Sequence, residues 1–500
     1  MDLLAHISLG FGVALTLANL FYCLIGVLTG TLIGVLPGIG PVATVALLLP
    51  VTFTLPPVGA LIMLAGIYYG AQYGGSTTSI LMNLPGEASS IVTCLDGYQM
   101  ARQGRAGPAL AIAAIGSFFA GTVTTLLLAA AAEPMTELAL KFGSAEYFSL
   151  MTFGLIGAVV LAGGSIVKAM AMVCLGLLLG LVGIDVNSGV PRYTFGLPML
   201  TDGISFITLA MGLFGLGEII VNLESDMDRT LLTSRLRGLM PTRADLRSTF
   251  PAIVRGTAIG SFLGVLPGGG AILSSFTAYA LEKKIAVDPS RFGKGAIEGV
   301  AAAESANNAG AQSSFIPMLT LGIPSNAVMA LMIGALIIHG IQPGPQVMAE
   351  QPTLFWGLIA SMWLGNLMLL VINLPMVGLW VKFLQIPYRL LFPVILLFCA
   401  IGVYTINNSI LDVLMTAFFG VVGYFFRKVG AEPAPLLLAF VLGPMMEENL
   451  RRALLLSRGS PAIFVERPIS AIFLILAAIL LVLVVLPTLR RKRDETFRED

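Results

Sequence analysis

Charge is what this chain has least of. Residues 3–86 contain no Asp, Glu, Lys or Arg, and further uncharged runs cover 106–132, 256–281, 305–349, 351–381, 390–411 and 468–489. Only 11% of the 500 residues are charged, against about 25% in ordinary soluble domains, so a soluble fold is excluded. Histidine is almost missing: His6 and His339 are the two present, which excludes a His-based zinc site. The four cysteines, Cys23, Cys94, Cys174 and Cys399, lie far apart in apolar surroundings, with neither metal-ligand spacing nor a disulfide framework. A net charge of +1 leaves no electrostatic footprint for nucleic acid. No GxxxxGK[ST] stretch occurs, which argues against ATP hydrolysis by this chain.

What is there is apolar length. Hydrophobic residues make up 57% of the chain, and mean hydropathy is +0.92. Crossing the hydrocarbon core takes about 20 apolar residues at roughly 1.5 Å each. The chain therefore reads as an all-α polytopic membrane protein with about 10–12 crossings, some of them broken. No basic segment precedes the first apolar run, so the N-terminus is expected to stay as the first membrane segment. Residues 224–251, "ESDMDRTLLTSRLRGLMPTRADLRSTFP", carry nine charges in 28 residues between nearly uncharged halves. Five of the nine are arginines, which favours the cytoplasmic side. The expected organisation is a first membrane repeat at 1–223, a cytoplasmic linker at 224–251, a second membrane repeat at 252–489 and a tail at 490–500. The tail opens with "RRKR" directly after an uncharged run, so it too is expected in the cytoplasm.

One motif is written twice. "GVLTGTLIGVLPGIG" at 26–40 returns as "GTAIGSFLGVLPGGG" at 256–270, with eight of fifteen positions identical. Gly26, Gly30, Gly34 and Gly38 fall on one helix face, and close helix packing accounts for the first three. The end of the motif is different. Pro37 removes a backbone donor, while Gly38 and Gly40 permit positive φ, so a helix break is expected there. Gly268, Gly269 and Gly270 follow Pro267 in the second copy. Broken helices in lipid are tolerated where protein or a wet cavity surrounds them. The paired breaks are either structural kinks or a pseudo-symmetric pair around a central site, where freed N–H groups hold an anion and freed carbonyls a cation.

A second pair of interruptions follows. "YGGSTTSILMNLPGEASS" (73–90) carries Ser76, Thr77, Thr78, Ser79 and Asn83 ahead of a turn at Pro85-Gly86. "ESANNAGAQSSFIPMLTLGIPSNAV" (304–328) carries Asn307, Asn308, Gln312, Ser313 and Ser314 ahead of Pro324-Ser325 and Asn326. Their apolar arms are too short to span, so re-entrant hairpins or discontinuous helices are expected. Hydroxyls and amides inside apolar sequence mark a pathway or site, or bond neighbouring helices. Glu304 is the coupling-ion candidate, as a cation ligand or proton carrier. Glu298 is expected to face water near Lys294, Asp96 to serve a capping or loop role, and Lys168 to snorkel at a helix end. Glu87 directly follows the first turn.

Loop charge tests the relation between the halves. Residues 41–86 after the first ladder contain no Lys or Arg, whereas the second ladder is followed by Lys283, Lys284, Arg291 and Lys294. Farther on the pattern swaps: Arg102 and Arg105 stand in the first half, and 339–353 has no basic residue. Opposite orientation of the repeats is the expectation.

The motifs "GVLPGIGP", "YYGAQYGGSTTSILMNLPGE", "LDGYQMARQGRAGPALAIAAIGSF", "GVLPGGG", "EGVAAAESANNAGAQSSFIPMLTLGIP" and "GALIIHGIQPGP" run in order over nearly the whole chain. Together they resemble the large membrane subunit of tripartite tricarboxylate transporters, the TctA type. The resemblance implies a bacterial inner-membrane protein that imports organic carboxylates on a Na⁺ or H⁺ gradient, with no ATPase and no other cofactor. It also implies two partners, a small four-helix membrane subunit and a periplasmic solute-binding protein. The substrate site then falls on the ladder breaks and the two polar hairpins, with an elevator-like motion by analogy with other binding-protein-dependent carriers. One position departs from that pattern, since Ser325 stands where a glycine is expected after the proline. An intramembrane enzyme would need converging acid–base groups or a metal site, which the sequence does not offer. A channel-like subunit without gradient coupling is the alternative.

Overall fold

The computed structural model describes residues 3–36, 39–161, 165–185, 188–224, 240–266, 270–384 and 388–485. These residues are predominantly helical, as a chain in lipid must be when each backbone group has to find its partner within its own segment. The exception is a short antiparallel strand pair, Gly183–Ile184 against Pro191–Arg192. Among the described residues, five helices are long and apolar enough to cross a membrane: Leu17–Gly34, Ala106–Ala139, Phe206–Glu224, Pro352–Asn373 and Ile410–Lys428. Shorter apolar helices, such as Leu3–Ala14 and Pro41–Thr52, lie beside them.

Two helices in the middle are of another kind. Pro57–Met82 and Ile297–Ser313 are buried almost from end to end, although both carry rows of polar residues. Each is surrounded by protein, so most of its polar groups find partners there, although the hydroxyls of Tyr69, Tyr73 and Ser305 have none among the described residues.

The glycine ladders explain how those central helices are held. A Cβ on Gly26, Gly30 or Gly34 would strike the backbone of Met63, Ile67 or Ala71 in the first central helix. A Cβ on Gly256, Gly260 or Gly264 would strike the backbone of Ala302, Ala306 or Gly310 in the second. The two ladder contacts correspond residue for residue, the ladder helices at an offset of 230 and the central helices at an offset of 239. The small residues let two backbones touch, which is how helices gain contact where no hydrophobic drive operates between them.

The correspondence continues past each central helix. Asn83 (φ 59°) ends the first in a left-handed cap, and Gly322 (φ 72°) does the same, 239 residues later, after the helix Phe315–Leu321. Glu87 then caps the short turn 88–90 in a reciprocal capping box, and Asn326 caps Ala327–Ile338 by accepting from the Met329 N–H at 3.0 Å. The hydroxyl row Ser76–Ser79 lies within the unbroken first central helix, so the interruption begins only at Asn83. The two central helices meet antiparallel: Ser76 faces Glu304, Gln72 faces Asn307, and Tyr68 packs its ring 6.3 Å from that of Phe315.

Candidate functional site

Two polar clusters form where the central helices cross. In the first, the fully buried Glu304 accepts from the Ser76 hydroxyl through Oε2 at 2.6 Å and from the Thr93 hydroxyl through Oε1. Ser76 and Thr93 come from the first half of the chain, so this carboxyl ties the halves together. No ion pair is made by Glu304 among the described residues. The Tyr73 hydroxyl, also buried, has no hydrogen-bond partner among those residues.

The second cluster gathers at the two caps. Asn307 Nδ2 donates to Glu87 Oε1 at 3.0 Å. In the amide orientation that satisfies the network, Gln72 donates to Glu87 Oε2 at 2.8 Å and to Asn307 Oδ1 at 3.0 Å. On the other side the Tyr68 hydroxyl faces the Asn326 amide. Tyr68 and Asn307 stand 239 residues apart, as do Glu87 and Asn326. Each central helix therefore reaches across to the cap of the other half. Glu87 and Asn326 are half-exposed, whereas nearly all their surroundings are buried. Gly40 lies against Glu87 and Gly86, and Gly270 lies in the corresponding way against Asn326 and Ser314, so the ladder ends converge on the same caps.

The tripartite tricarboxylate transporter TctA family model matches residues 20–438. The chain belongs to this family. It is 57% identical over 500 residues to an uncharacterised 52.8 kDa protein in the TAR-I ttuC' 3' region of Agrobacterium vitis, with both chains covered in full. It is also 58% identical over 241 residues to an uncharacterised protein in the TAR-II ttuC' 3' region of the same organism, covering 48% of this chain and all of that one. No solved structure matches.

Within this TctA chain the expected site residues divide. Ser76, Glu304, Asn307, Gly86, Gly40, Gly270, Ser314, Ser325 and Asn326 gather at or beside the two clusters. Ser325 donates to the Ser314 carbonyl at 3.5 Å, and Asn326 Nδ2 donates to Ser314 Oγ at 3.0 Å. The corresponding contact in the first half is Gly75 against Gly86, backbone on backbone, so the departure at Ser325 is paired with a second serine in place of a glycine. Other residues serve helix packing. Thr78 donates to the Val35 carbonyl at 2.6 Å, Thr77 to Tyr73, and Ser79 to Gly75 and Ser90. Ser313 donates to the Gly260 carbonyl at 3.2 Å, and Asn308 and Gln312 turn outward to Ser117 and Thr125 of the Ala106–Ala139 helix. Asn83 is exposed and matters through its backbone, Pro85 is half-buried beside it, and Pro324 is buried in the second turn. Pro37, Gly38, Gly268 and Gly269 lie outside the described residues.

Two acids and one base have clear positions. Asp96 is fully buried in a π-helical turn, where it accepts from Gly293, Gly295 and Ala296 N–H groups at 2.7–2.9 Å and from the Tyr279 hydroxyl at 2.8 Å. Its loop role is thus played on a segment some 200 residues away. Glu298 pairs with Arg291 at 3.2 Å, and Lys168 donates to the Val429 carbonyl near the start of its helix. Sequence reading did not assign Tyr68, Gln72 and Thr93 to the site. Gln72 and Tyr68 sit about one and two helical turns before Ser76, a spacing that puts them on its face and was the available signal.

Proposed function

We propose that this chain is the large transmembrane subunit of a binding-protein-dependent secondary transporter that imports organic di- or tricarboxylates on a Na⁺ or H⁺ gradient. The observation that carries the reading is the exchanged pair of cap contacts, Asn307 with Glu87 and Tyr68 with Asn326, between antiparallel central helices. A two-fold relation between antiparallel helices has its axis across them, which in a membrane is the geometry of inverted repeats around a midplane site. That geometry supports alternating access and an elevator-like movement of the two central helices with their ladders. The half-buried Asn326 amide, the buried hydroxyls and amides around it and the backbone at the two caps suit a carboxylate. Glu304, buried with no ion pair among the described residues, is the coupling-ion candidate that the sequence offered, because a carboxyl so placed is neutralised by a proton or accompanied by a cation; Glu87 is the other carboxyl of the two clusters that can fill this role.

The partners in this reading are a small four-helix membrane subunit and a periplasmic solute-binding protein, in a bacterial inner membrane. Arg105 pairs with Asp245 at 2.6 Å within the arginine-rich segment 224–251, which supports a cytoplasmic position for that end of the bundle.

The test is uptake into proteoliposomes holding this chain and its small partner, with the cognate binding protein outside. Labelled citrate is the first probe, followed by a panel of other carboxylates, under Na⁺ or pH gradients applied or withheld. Saturable accumulation that needs both the binding protein and a gradient is expected. Uptake that ignores the gradient and saturates with neither would instead establish the channel.

A further inference from the structure

Glu304 and Glu87 are unlike each other in a way that assigns them different work. Both oxygens of Glu304 are met by hydroxyls, deep inside the crossing of the helices. Glu87 sits at the half-exposed cap, where Asn307 and Gln72 face it and a ladder end closes against it. Its structural counterpart in the other half is Asn326, which makes the same kind of cap with a neutral amide. The two halves are therefore matched in shape at this point and unmatched in charge by one unit. We propose that Glu87 is the residue at which one monovalent cation, H⁺ or Na⁺, is taken up together with the carboxylate substrate.

The reason is electrostatic. An anion arriving between the two caps meets a neutral amide on one side and a carboxylate on the other. Two like charges in a site with little water repel strongly, because the low dielectric leaves the repulsion poorly screened. No basic side chain offsets this among the described residues: Tyr68 and Glu304 are the titratable groups that face Glu87, and both are neutral or acidic. The sequence at 37–38 and 267–269, outside the described residues, is proline and glycine and carries no charge. Neutralising Glu87 removes the repulsion, so the cation binds better with the substrate present, and by linkage the substrate binds better with the cation present. Asn307 and Gln72 can follow the change, because an amide both donates and accepts and can turn from a carboxylate to a carboxylic acid or to an ion.

This inference rests on the reading that the chain carries anions, and its test separates the two. The measurement is the apparent substrate affinity of the assembled system in counterflow, for whichever carboxylate the panel identifies. It is taken once against pH in sodium-free buffer and once against Na⁺ at fixed pH. One linked cation gives about a tenfold gain in affinity per tenfold rise in that cation. The wild type is expected to show this slope in one arm, and Glu87→Gln to lose it whatever its absolute rate. A full slope in Glu87→Gln would place the coupling elsewhere and overturn the proposal while leaving transport standing. Complete loss of counterflow in a Glu87→Gln protein of normal abundance would also overturn it, making Glu87 a group the substrate needs ionised. Absence of counterflow in the wild type with every carboxylate would sink the transport reading, and the proposal with it. Asn326→Asp supplies a second check that does not depend on the first variant folding. It places a carboxylate at the matching cap, so the slope is expected to steepen toward a hundredfold, and an unchanged slope would count against the cap as the landing place.

Discussion

Single residues carry the polar chemistry, and their effects should be separable from folding. Asn307 is buried and makes its bond to Glu87 through one amide nitrogen. Asn307→Ala removes a hydrogen bond to a charged group, a change of about 1.5–3 kcal/mol, so uptake should fall about tenfold or more with unchanged membrane abundance. Ser313→Ala removes a 3.2 Å bond to a ladder carbonyl and a 3.4 Å bond to the Gly310 carbonyl, neither to a charged group, and uptake is expected to fall less. Equal, wild-type uptake in both variants, measured in the same vesicles, would take Asn307 out of the site. Asp96 acts at the same scale but on architecture. Asp96→Ala would strand three N–H groups and the Tyr279 hydroxyl, a loss of about 3 kcal/mol or more, visible as a lower unfolding midpoint of the purified protein. A midpoint unchanged from wild type would show that water or another group takes over those donors.

Pairs of helices are the next scale, and here the ladders decide. Gly260 has the backbone of Ala306 on one side and Ala309 Cβ on the other, 2.7 Å from where its own Cβ would stand. Gly260→Ala must push the two helices apart, at a cost of about 1–3 kcal/mol. Gly30→Ala, at the matching position against Ile67, should cost a similar amount. Gly12, with nothing within 4 Å, is the control, and Gly12→Ala should be neutral or slightly stabilising because alanine favours the helix by up to about 1 kcal/mol. Thermal unfolding in detergent checks all three. A Gly260→Ala protein as stable as Gly12→Ala would mean that the ladder contact is looser than its geometry indicates.

The whole molecule is tested by its sidedness. Single cysteines at Val287 and Phe195, both strongly exposed, lie on the loop after the second ladder and on the loop beside the short strand pair. The first is clasped near Arg102 by the bond from Gln103 to the Lys294 carbonyl. The second precedes a span that ends at the charged linker. A membrane-impermeant maleimide applied to vesicles of either orientation is expected to label Val287Cys from the cytoplasmic side and Phe195Cys from the other. Labelling of both from one side would overturn the proposed arrangement of the repeats.

The sequence by itself determined the broad class of the molecule. Uncharged runs long enough to cross a bilayer leave helix as the backbone's way to satisfy its own hydrogen bonds. The double ladder announced the duplication, because a contact that tolerates only glycine on one side leaves a visible mark at every fourth position. Family motifs then named the subunit. Only the tertiary structure decided how the polar residues share the work. A hydroxyl in an apolar helix reads the same whether it caps a neighbour's carbonyl, as Thr78 does, or meets a carboxylate, as Ser76 does. The difference lies in which helix face meets which partner, and that follows from contacts 43 residues apart for Thr78 and 228 for Ser76. The exchange between Asn307 and Glu87, and between Tyr68 and Asn326, was beyond a linear reading for a further reason. The matching residues differ in type, tyrosine for asparagine and glutamate for asparagine, so only their places in space make them equivalent.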